Sequence, residues 1–380
     1  MAEKKSNISG FYKMSIEERL RIVSDFASLS DEERKSLLQT GSLDIDTANA
    51  MIENVIGTIE LPVGIATNFL INGRDYLIPM ALEEPSVVAA ASFAAKLARP
   101  GGGFIATSDE PVMIGQIQLV NVPDIITAKQ RILGKKTEIL ALASQCDSIL
   151  VSLGGGAKDL DIIEMDTDIG KMLAVHLYID VRDAMGANAV NTMAEKVAPF
   201  LEEITGGKSR LKIVSNLADR RLVRAKAVWK KEALEGSFNG KMSGEEIVNG
   251  IIEAYHFALK NKYRAATHNK GIMNGIDAVA LATGNDFRAL EAGAHSFASN
   301  GTYKPLTKFE RNEDGDLVGS IELPMAVGII GGSMRTNPIA RVSLKILGVK
   351  TAKELGEIMA CVGLANNLAA LRAFVTTGIP

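Results

Sequence analysis

Val112-Met-Ile-Gly-Gln-Ile-Gln-Leu-Val120 alternates as a strand does, and the elements downstream of it decide the fold. Asp124–Leu133 and Thr137–Ala143 carry helical spacing, and Ser148-Ile-Leu-Val-Ser-Leu153 reads as another strand before Gly154-Gly-Gly156. Leu173–Val181 is an apolar run of buried-strand length, Val190 to about Thr205 a helix, and Arg210–Ser215 a last strand. Strand, helix, strand, strand, helix, strand is the split βαβ pattern of a small α+β domain. Residues 112–220 therefore read as a domain inserted into a larger, helix-rich and discontinuous one, made of 1–111 and 221–380.

On the N-terminal side, Ser15-Ile-Glu-Glu18 and Ser30-Asp-Glu-Glu33 both look like helix starts, placing helices within 15–40. Thr47–Ile52 is a short helix, and Gly57-Thr-Ile-Glu-Leu-Pro62-Val-Gly-Ile65 reads as a strand and turn. Gly319-Ser-Ile-Glu-Leu-Pro324 returns close to that pattern, which suggests two related strand–turn elements in one core. Asn72-Gly73 between two apolar runs signals a hairpin. Glu83-Glu84-Pro85-Ser86 then opens a helix over Val87–Ala98, with proline and carboxylates where a first turn tolerates them. Gly244–Asn261, Phe287–Asn300 and Thr351–Thr377 are helical on the C-terminal side.

The chain has 380 residues, 47% hydrophobic and 23% charged, with a net charge of −3. That composition describes a soluble globular protein, and scattered rather than striped cations give no case for nucleic acid. Cys146 and Cys361 are too few for a disulfide framework or a cysteine-based zinc site, which points to a reducing, cytoplasmic setting. The N-terminus, Met-Ala-Glu-Lys-Lys, is polar, and no run reaches the roughly 18 uninterrupted apolar residues of a membrane span.

The chemistry gathers in Arg264-Ala-Ala-Thr-His268-Asn-Lys270-Gly-Ile-Met-Asn274-Gly-Ile-Asp277 and the Thr283-Gly-Asn-Asp286 turn beyond it. Small neighbours around Lys270 allow partial desolvation of its ammonium, and a chain that folds back brings Asp286 to it. A lysine held between those pushes stabilises an oxyanion or gives up a proton near neutral pH. The same residues also read as a glycine-rich loop with a solvated lysine, with Asp286 capping the next helix. Gly206-Gly-Lys-Ser209 lacks the leading glycine of a P-loop, since Glu202 stands there, and Gly328-Ile-Ile-Gly-Gly332 lacks Rossmann spacing. Asp183-Ala-Met-Gly-Ala-Asn188 instead joins a buried strand to a long helix, whose N-terminus suits a pyrophosphate.

Six motifs taken together, Glu53-Asn-Val-Ile-Gly57, Leu61-Pro-Val-Gly64, Glu84-Pro-Ser-Val-Val-Ala-Ala90, Asp183–Asn188, His268–Gly275 and Thr283–Asp286, resemble the soluble class II branch of hydroxymethylglutaryl-CoA (HMG-CoA) reductase. The resemblance runs in order along nearly the whole chain. It implies NAD(P)H-dependent, four-electron reduction of HMG-CoA to mevalonate and CoA, through mevaldyl-CoA and mevaldehyde. That reaction serves isoprenoid synthesis or, reversed, mevalonate catabolism. Lys270 matches the family's oxyanion-stabilising lysine, Asp286 the aspartate that tunes it, and Glu84 the proton donor, with Glu83 its neighbour. Ser86, Arg264 and Asn274 match residues that contact the HMG moiety. Asp183, Met185, Gly186, Ala187 and Asn188 match the dinucleotide loop of a ferredoxin-like, non-Rossmann domain. Asp147 stands where family members meet the adenosine ribose; a carboxylate there bonds a 2′-hydroxyl and repels a 2′-phosphate, so NADH is favoured over NADPH. No metal is implied, and CoA enters as part of the substrate. The resemblance also implies a homodimer, or a higher assembly, with the site at the seam beside Glu53–Gly57.

The family further carries a histidine on a C-terminal flap, which protonates the departing thiolate. His176, His256, His268 and His295 all lie upstream and none matches it, so the flap is expected to be absent from this chain. An impaired homologue that only binds CoA thioester or dinucleotide is the alternative. A thiolase-like enzyme is disfavoured, because neither cysteine sits in a nucleophile-like turn.

Overall fold

The structure is a computed structural model that describes residues 4–378; Met1-Ala-Glu3 of the polar N-terminus and Ile379-Pro380 lie outside the described residues. Helices α1 (Ile16–Ala27) and α2 (Asp31–Leu38) each begin in a capping box, with Ser15 and Glu18, and Ser30 and Glu33, exchanging hydrogen bonds. After α3 (Ile45–Met51) the chain runs irregular and exposed to Pro62. The strand read from Gly57 starts only at Val63, as β1 (Val63–Ile71). Asn72 and Gly73, both at positive φ, turn it into β2 (Arg74–Ala81), the expected hairpin. Helix α4 (Val87–Ala98) and β3 (Phe104–Ser108) come next.

The inserted segment opens with β4 (Val112–Val120), α5 (Ile125–Gly134) and α6 (Lys136–Ser144). Ser148–Leu153, read as a strand, is instead helix α7 (Ser148–Ser152): Asp147 caps it through Leu150 N–H at 2.8 Å, and a local cap outweighed the β-branched composition. The strand that sequence reading missed lies just beyond, β5 (Gly156–Thr167), paired with β6 (Gly170–Asp180). Its many charged residues hide the alternation. Helix α8 (Ala187–Thr205) and β7 (Lys208–Val214) complete the unit. The sheet order is β5-β6-β4-β7, every neighbour antiparallel, which is the ferredoxin-like arrangement. Its core, built on residues such as Ile117, Leu177, Met193 and Val197, is separate from the larger one.

The chain then continues through β8 (Leu222–Trp229), α9 (Lys231–Gly236), α10 (Gly244–Lys260), α11 (Lys262–Ala282) and α12 (Phe287–Ala298). It ends with β9 (Thr307–Arg311), β10 (Leu317–Pro324), α13 (Pro338–Leu347) and α14 (Ala352–Thr376). A six-stranded sheet, β2-β1-β3-β8-β10-β9, carries an aromatic ladder of Phe69, Phe104, Trp229 and Phe309 at centroid spacings of 5.5, 6.0 and 6.5 Å. The suggested repeat of 57–62 and 319–324 has no structural counterpart, since the second lies in paired β10 and the first is unpaired and exposed.

The largest correction concerns residues 264–286. The supposed glycine-rich loop is helix α11, 21 residues long. Gly275 serves packing, since a Cβ there would stand 2.5 Å from Asn366 Oδ1 and 3.0 Å from Val362 Cγ1 of α14, whereas a Cβ on Gly271 would meet nothing. Helix α14 is long and apolar enough to cross a membrane, yet 72% of its most apolar window is buried inside the protein, as in a core helix. Gly275→Ala overpacks this crossing and is expected to cost about 1–3 kcal/mol, read as a lower urea midpoint. An unchanged midpoint means that α14 can move aside.

Candidate active site

Helix α11 displays Arg264, Lys270 and Asn274 from one rigid element, and its outer stripe, Tyr263, Thr267 and Lys270, is exposed. Glu84 comes from the link between β2 and α4, 186 residues away in sequence, and its Oε2 accepts a 2.8 Å hydrogen bond from Lys270 Nζ. The structure thus brings Glu84, rather than Asp286, to the lysine. Asp286 is a helix cap instead: its Oδ1 accepts from Arg288 N–H at 3.1 Å and Ala289 N–H at 3.2 Å and pairs with the Arg288 side chain. The expected desolvation of Lys270 is also absent in the single chain, where the side chains of Lys270 and Glu84 are 59% and 45% exposed. Water screens such a pair, so its meaning is positional.

Ser86 follows Glu84 and Pro85 at φ 73, and its exposed hydroxyl makes no cap to α4. A non-glycine residue held there is strained, and its hydroxyl stays available to a ligand. Arg264 is half-buried and lies over the Phe374 ring, 4.9 Å from its centroid. Burial lowers its pKa, and among the described residues no carboxylate pairs with it. A partly desolvated guanidinium without an anion suits a ligand carboxylate.

Sequence reading missed a polar chain one helix over. Asp277, seven residues after Lys270 on the same stripe, presses its carboxyl on Glu291 of α12. Burial, then that neighbour, raises its pKa, while the His295 contact lowers that of Glu291. His295 Nδ1 lies 2.8 Å from Tyr303 Oη. Part of the signal was available, since Asp277 falls seven residues after Lys270 and His295 four after Glu291, but charges at such spacings usually mark a solvated face.

The dinucleotide candidates separate by role. Gly186, at φ 99, caps α8 without any side-chain hydrogen bond to its first turn, so the leading N–H groups beside Ala187 and Asn188 are open to an anion. That arrangement fits a pyrophosphate. Asp183 is less free: its Oδ1 accepts Ala352 N–H at 2.8 Å and its carbonyl accepts Ile329 N–H at 2.9 Å. Met185 and Ala184 present their carbonyls to Arg221. Asp147 spends one carboxylate oxygen on the α7 cap. Among the described residues no three metal-binding side chains cluster.

A helix-rich unit carrying a lysine–glutamate pair is thus joined to a ferredoxin-like unit whose helix α8 starts without a side-chain cap. A sequence profile of hydroxymethylglutaryl-coenzyme A reductase matches residues 15–380, and the chain belongs to that family. It is 60% identical over 374 residues to the 3-hydroxy-3-methylglutaryl-coenzyme A reductase of Archaeoglobus fulgidus, covering 98% of this chain and 84% of that one. It is 37% identical over 361 residues to a probable reductase of the same name from Borreliella burgdorferi, covering 92% and 80%. Among solved structures, the class II reductase of Streptococcus pneumoniae, bound to NADPH in open conformations, superposes with a TM-score of 0.92 at 43% identity, over 97% of this chain and 99% of that chain.

His268, two residues before Lys270, gives a pH test of the frame. Thr307 Oγ1 donates to Asn367 Oδ1, so it accepts from His268 Nε2 at 2.6 Å, and the buried Nδ1 has no partner. Burial drops the imidazole pKa from 6.5 to about 3. Below 6.5 the unfolded chain takes up a proton that the folded one refuses. Stability therefore falls as pH drops from 6.5 toward 3, by up to about 1.4 kcal/mol per unit. His268→Gln should flatten that part of the urea-stability profile; an unchanged slope would assign it to other groups.

Proposed function

We propose that the chain reduces HMG-CoA to mevalonate and CoA in two hydride transfers, through mevaldyl-CoA and mevaldehyde. The observation that carries this reading is the direct contact between Lys270 and Glu84, two ionisable groups far apart in sequence and joined within the stretch that matches the family. When bound, the dinucleotide supplies the hydride. Lys270 holds the oxyanion that forms as the carbonyl carbon is reduced, and its ammonium is already in place. Glu84, hydrogen-bonded to that ammonium, passes to the alkoxide a proton that it first takes from solvent, and the departing CoA thiolate takes its own proton from solvent. Arg264 binds the free carboxylate of the HMG moiety, with Ser86 and Asn274 fixing its orientation. Asp286 acts on the lysine indirectly, by anchoring the start of α12.

Residues 1–111 and 221–380 form the substrate-binding and dimerisation domain, and 112–220 the dinucleotide-binding domain. The site is shared between two copies of the chain. The support is the irregular stretch from Glu53 to Leu61, whose Ile56 and Ile59 are almost wholly exposed in one copy. A second copy covers such apolar side chains and the half-open Lys270–Glu84 pair together. The enzyme works in the cytoplasm.

An absorbance assay with HMG-CoA and, separately, mevaldehyde tests the reading. Lys270→Ala is expected to lower kcat by about 10²–10³-fold with a folded protein; a variant that keeps wild-type kcat removes Lys270 from the chemistry. The carboxylate at Asp147 favours NADH over NADPH, so kcat/KM should be higher with NADH, and Asp147→Ala should narrow the gap. Equal values for both cofactors in the wild-type chain would sink the preference.

A further inference from the structure

The loop Asp183–Gly186 is held from two sides by groups that the reaction does not use. Arg221, in the return from the small unit to the large one, is 4% exposed. Its Nη1 donates to the carbonyls of Ala184 at 3.2 Å and Met185 at 3.4 Å, and its Nη2 donates to the carbonyl of Val327. The backbone of Arg221 is fixed in turn, since its carbonyl accepts Met325 N–H at 3.0 Å. A single guanidinium thus clamps the loop to the 325–328 segment. On that segment Gly328 lies against the loop so closely that a Cβ would stand 2.6 Å from Met185 N and 3.1 Å from Asp183 O. Gly328 N–H donates to Asn285 Oδ1 at 2.8 Å, and Asn285, itself buried, directly precedes Asp286.

We infer that Arg221 is a positioning residue that sets the dinucleotide loop against the large domain and ties its placement, through Val327, Gly328 and Asn285, to the Asp286 turn. This inference rests on the assignment of the 183–188 loop to the dinucleotide. A buried cation whose hydrogen bonds all go to main-chain carbonyls fixes backbone geometry rather than binding an anion. Among the described residues no carboxylate takes a hydrogen bond from it, and its charge is balanced at longer range by Asp180 and Asp183. Burial pulls its pKa down to about 10, so it stays charged at neutral pH. Lysine cannot substitute, because one flexible ammonium does not reproduce a planar fork spanning three carbonyls. The α8 N–H groups point at a phosphate only while the Ala184–Gly186 backbone keeps its place, and small displacements of positioning elements are costly.

The test uses the full chain and two variants that disturb the loop from opposite sides, Arg221→Lys and Gly328→Ala. Binding of NADH and NADPH is followed by nicotinamide fluorescence, and KM for HMG-CoA and the thermal midpoint are measured in parallel. Each variant is expected to raise the dinucleotide Kd about tenfold, or about 1.4 kcal/mol, with KM for HMG-CoA within about twofold of wild type. Folded variants with wild-type Kd overturn the inference, as does an equal loss at both ligands, which is what general destabilisation gives. If one variant fails to fold, the other decides; if neither folds, the clamp holds the fold rather than the loop, and the inference is withdrawn. A wild-type chain that binds neither dinucleotide overturns the functional reading itself and this inference with it.

Discussion

The crossing of α11 over α14 is the constraint on which the site depends. Helix α11 lies inside the large core, with Ile272, Met273, Ile276, Val279 and Ala280 all buried, and Gly275 lets α14 approach where any side chain would strike Asn366 or Val362. Gly363 answers from the other helix, 2.9 Å being all that separates its absent Cβ from Ile276. Close-packed helices transmit position well because neither has slack to absorb a shift. Polar anchors then fix the rotation about the helix axis: Asn269 donates to Lys304 O and accepts Leu306 N–H, and His268 meets Thr307. With both translation and rotation set, Arg264, Lys270 and Asn274 project outward in fixed relation, and only Glu84 has to be delivered from elsewhere.

That delivery explains why the β2–α4 link is strained rather than relaxed. Pro85 and a left-handed Ser86 turn the chain sharply as it leaves the sheet, so Glu84 reaches across to α11 while α4 packs on the same core. A conventional cap at Ser86 would use its hydroxyl on the helix. Here it is withheld, a small local cost borne by the burial of Val87, Ala91, Ala94 and Ala95 behind it. The resulting pair is open to water on its outer side, and its electrostatic strength depends on what closes over it.

Much of this is legible in the residues. Capping boxes at Ser15 and Ser30 and the Asn72-Gly73 turn come directly from local chemistry, which the tertiary structure does not override, whereas the split βαβ order is reached with Ser148–Leu153 standing in for the strand that β5 supplies. The errors have equally specific causes. Ser148–Leu153 has β-branched residues but also Asp147, and a side-chain cap decides between helix and strand over five residues. Residues 264–286 carry three glycines, which read as loop punctuation when helix–helix contact is invisible; that Gly275 serves a crossing is knowable only once Asn366, some 90 residues later, is in place. Lys270 and Glu84 each stand out in the sequence, but their separation hides the contact and makes the nearer Asp286 look like the lysine's partner.

Asp286 is a helix cap and makes no bond to Lys270. A carboxylate bonded to the lysine would act by charge; one that fixes the start of α12 acts through geometry. Helix α12 is joined to α11 a second time, where Asp277 meets Glu291, and two carboxyl groups in contact share a proton more readily than they share two charges. With His295 and Tyr303 extending that chain, α12 is held at its N-cap by its own carboxylate and along its length by the meeting of Asp277 and Glu291. The same N-cap turn begins at Asn285, which bonds the segment packed on the 183–186 loop. A rigid α12 therefore fixes two separations at once, from its cap to the lysine face of α11 and from its cap to the loop. On the proposed assignment of the two units hydride transfer needs both, because reacting atoms held on two domains approach only as accurately as the element between them is fixed.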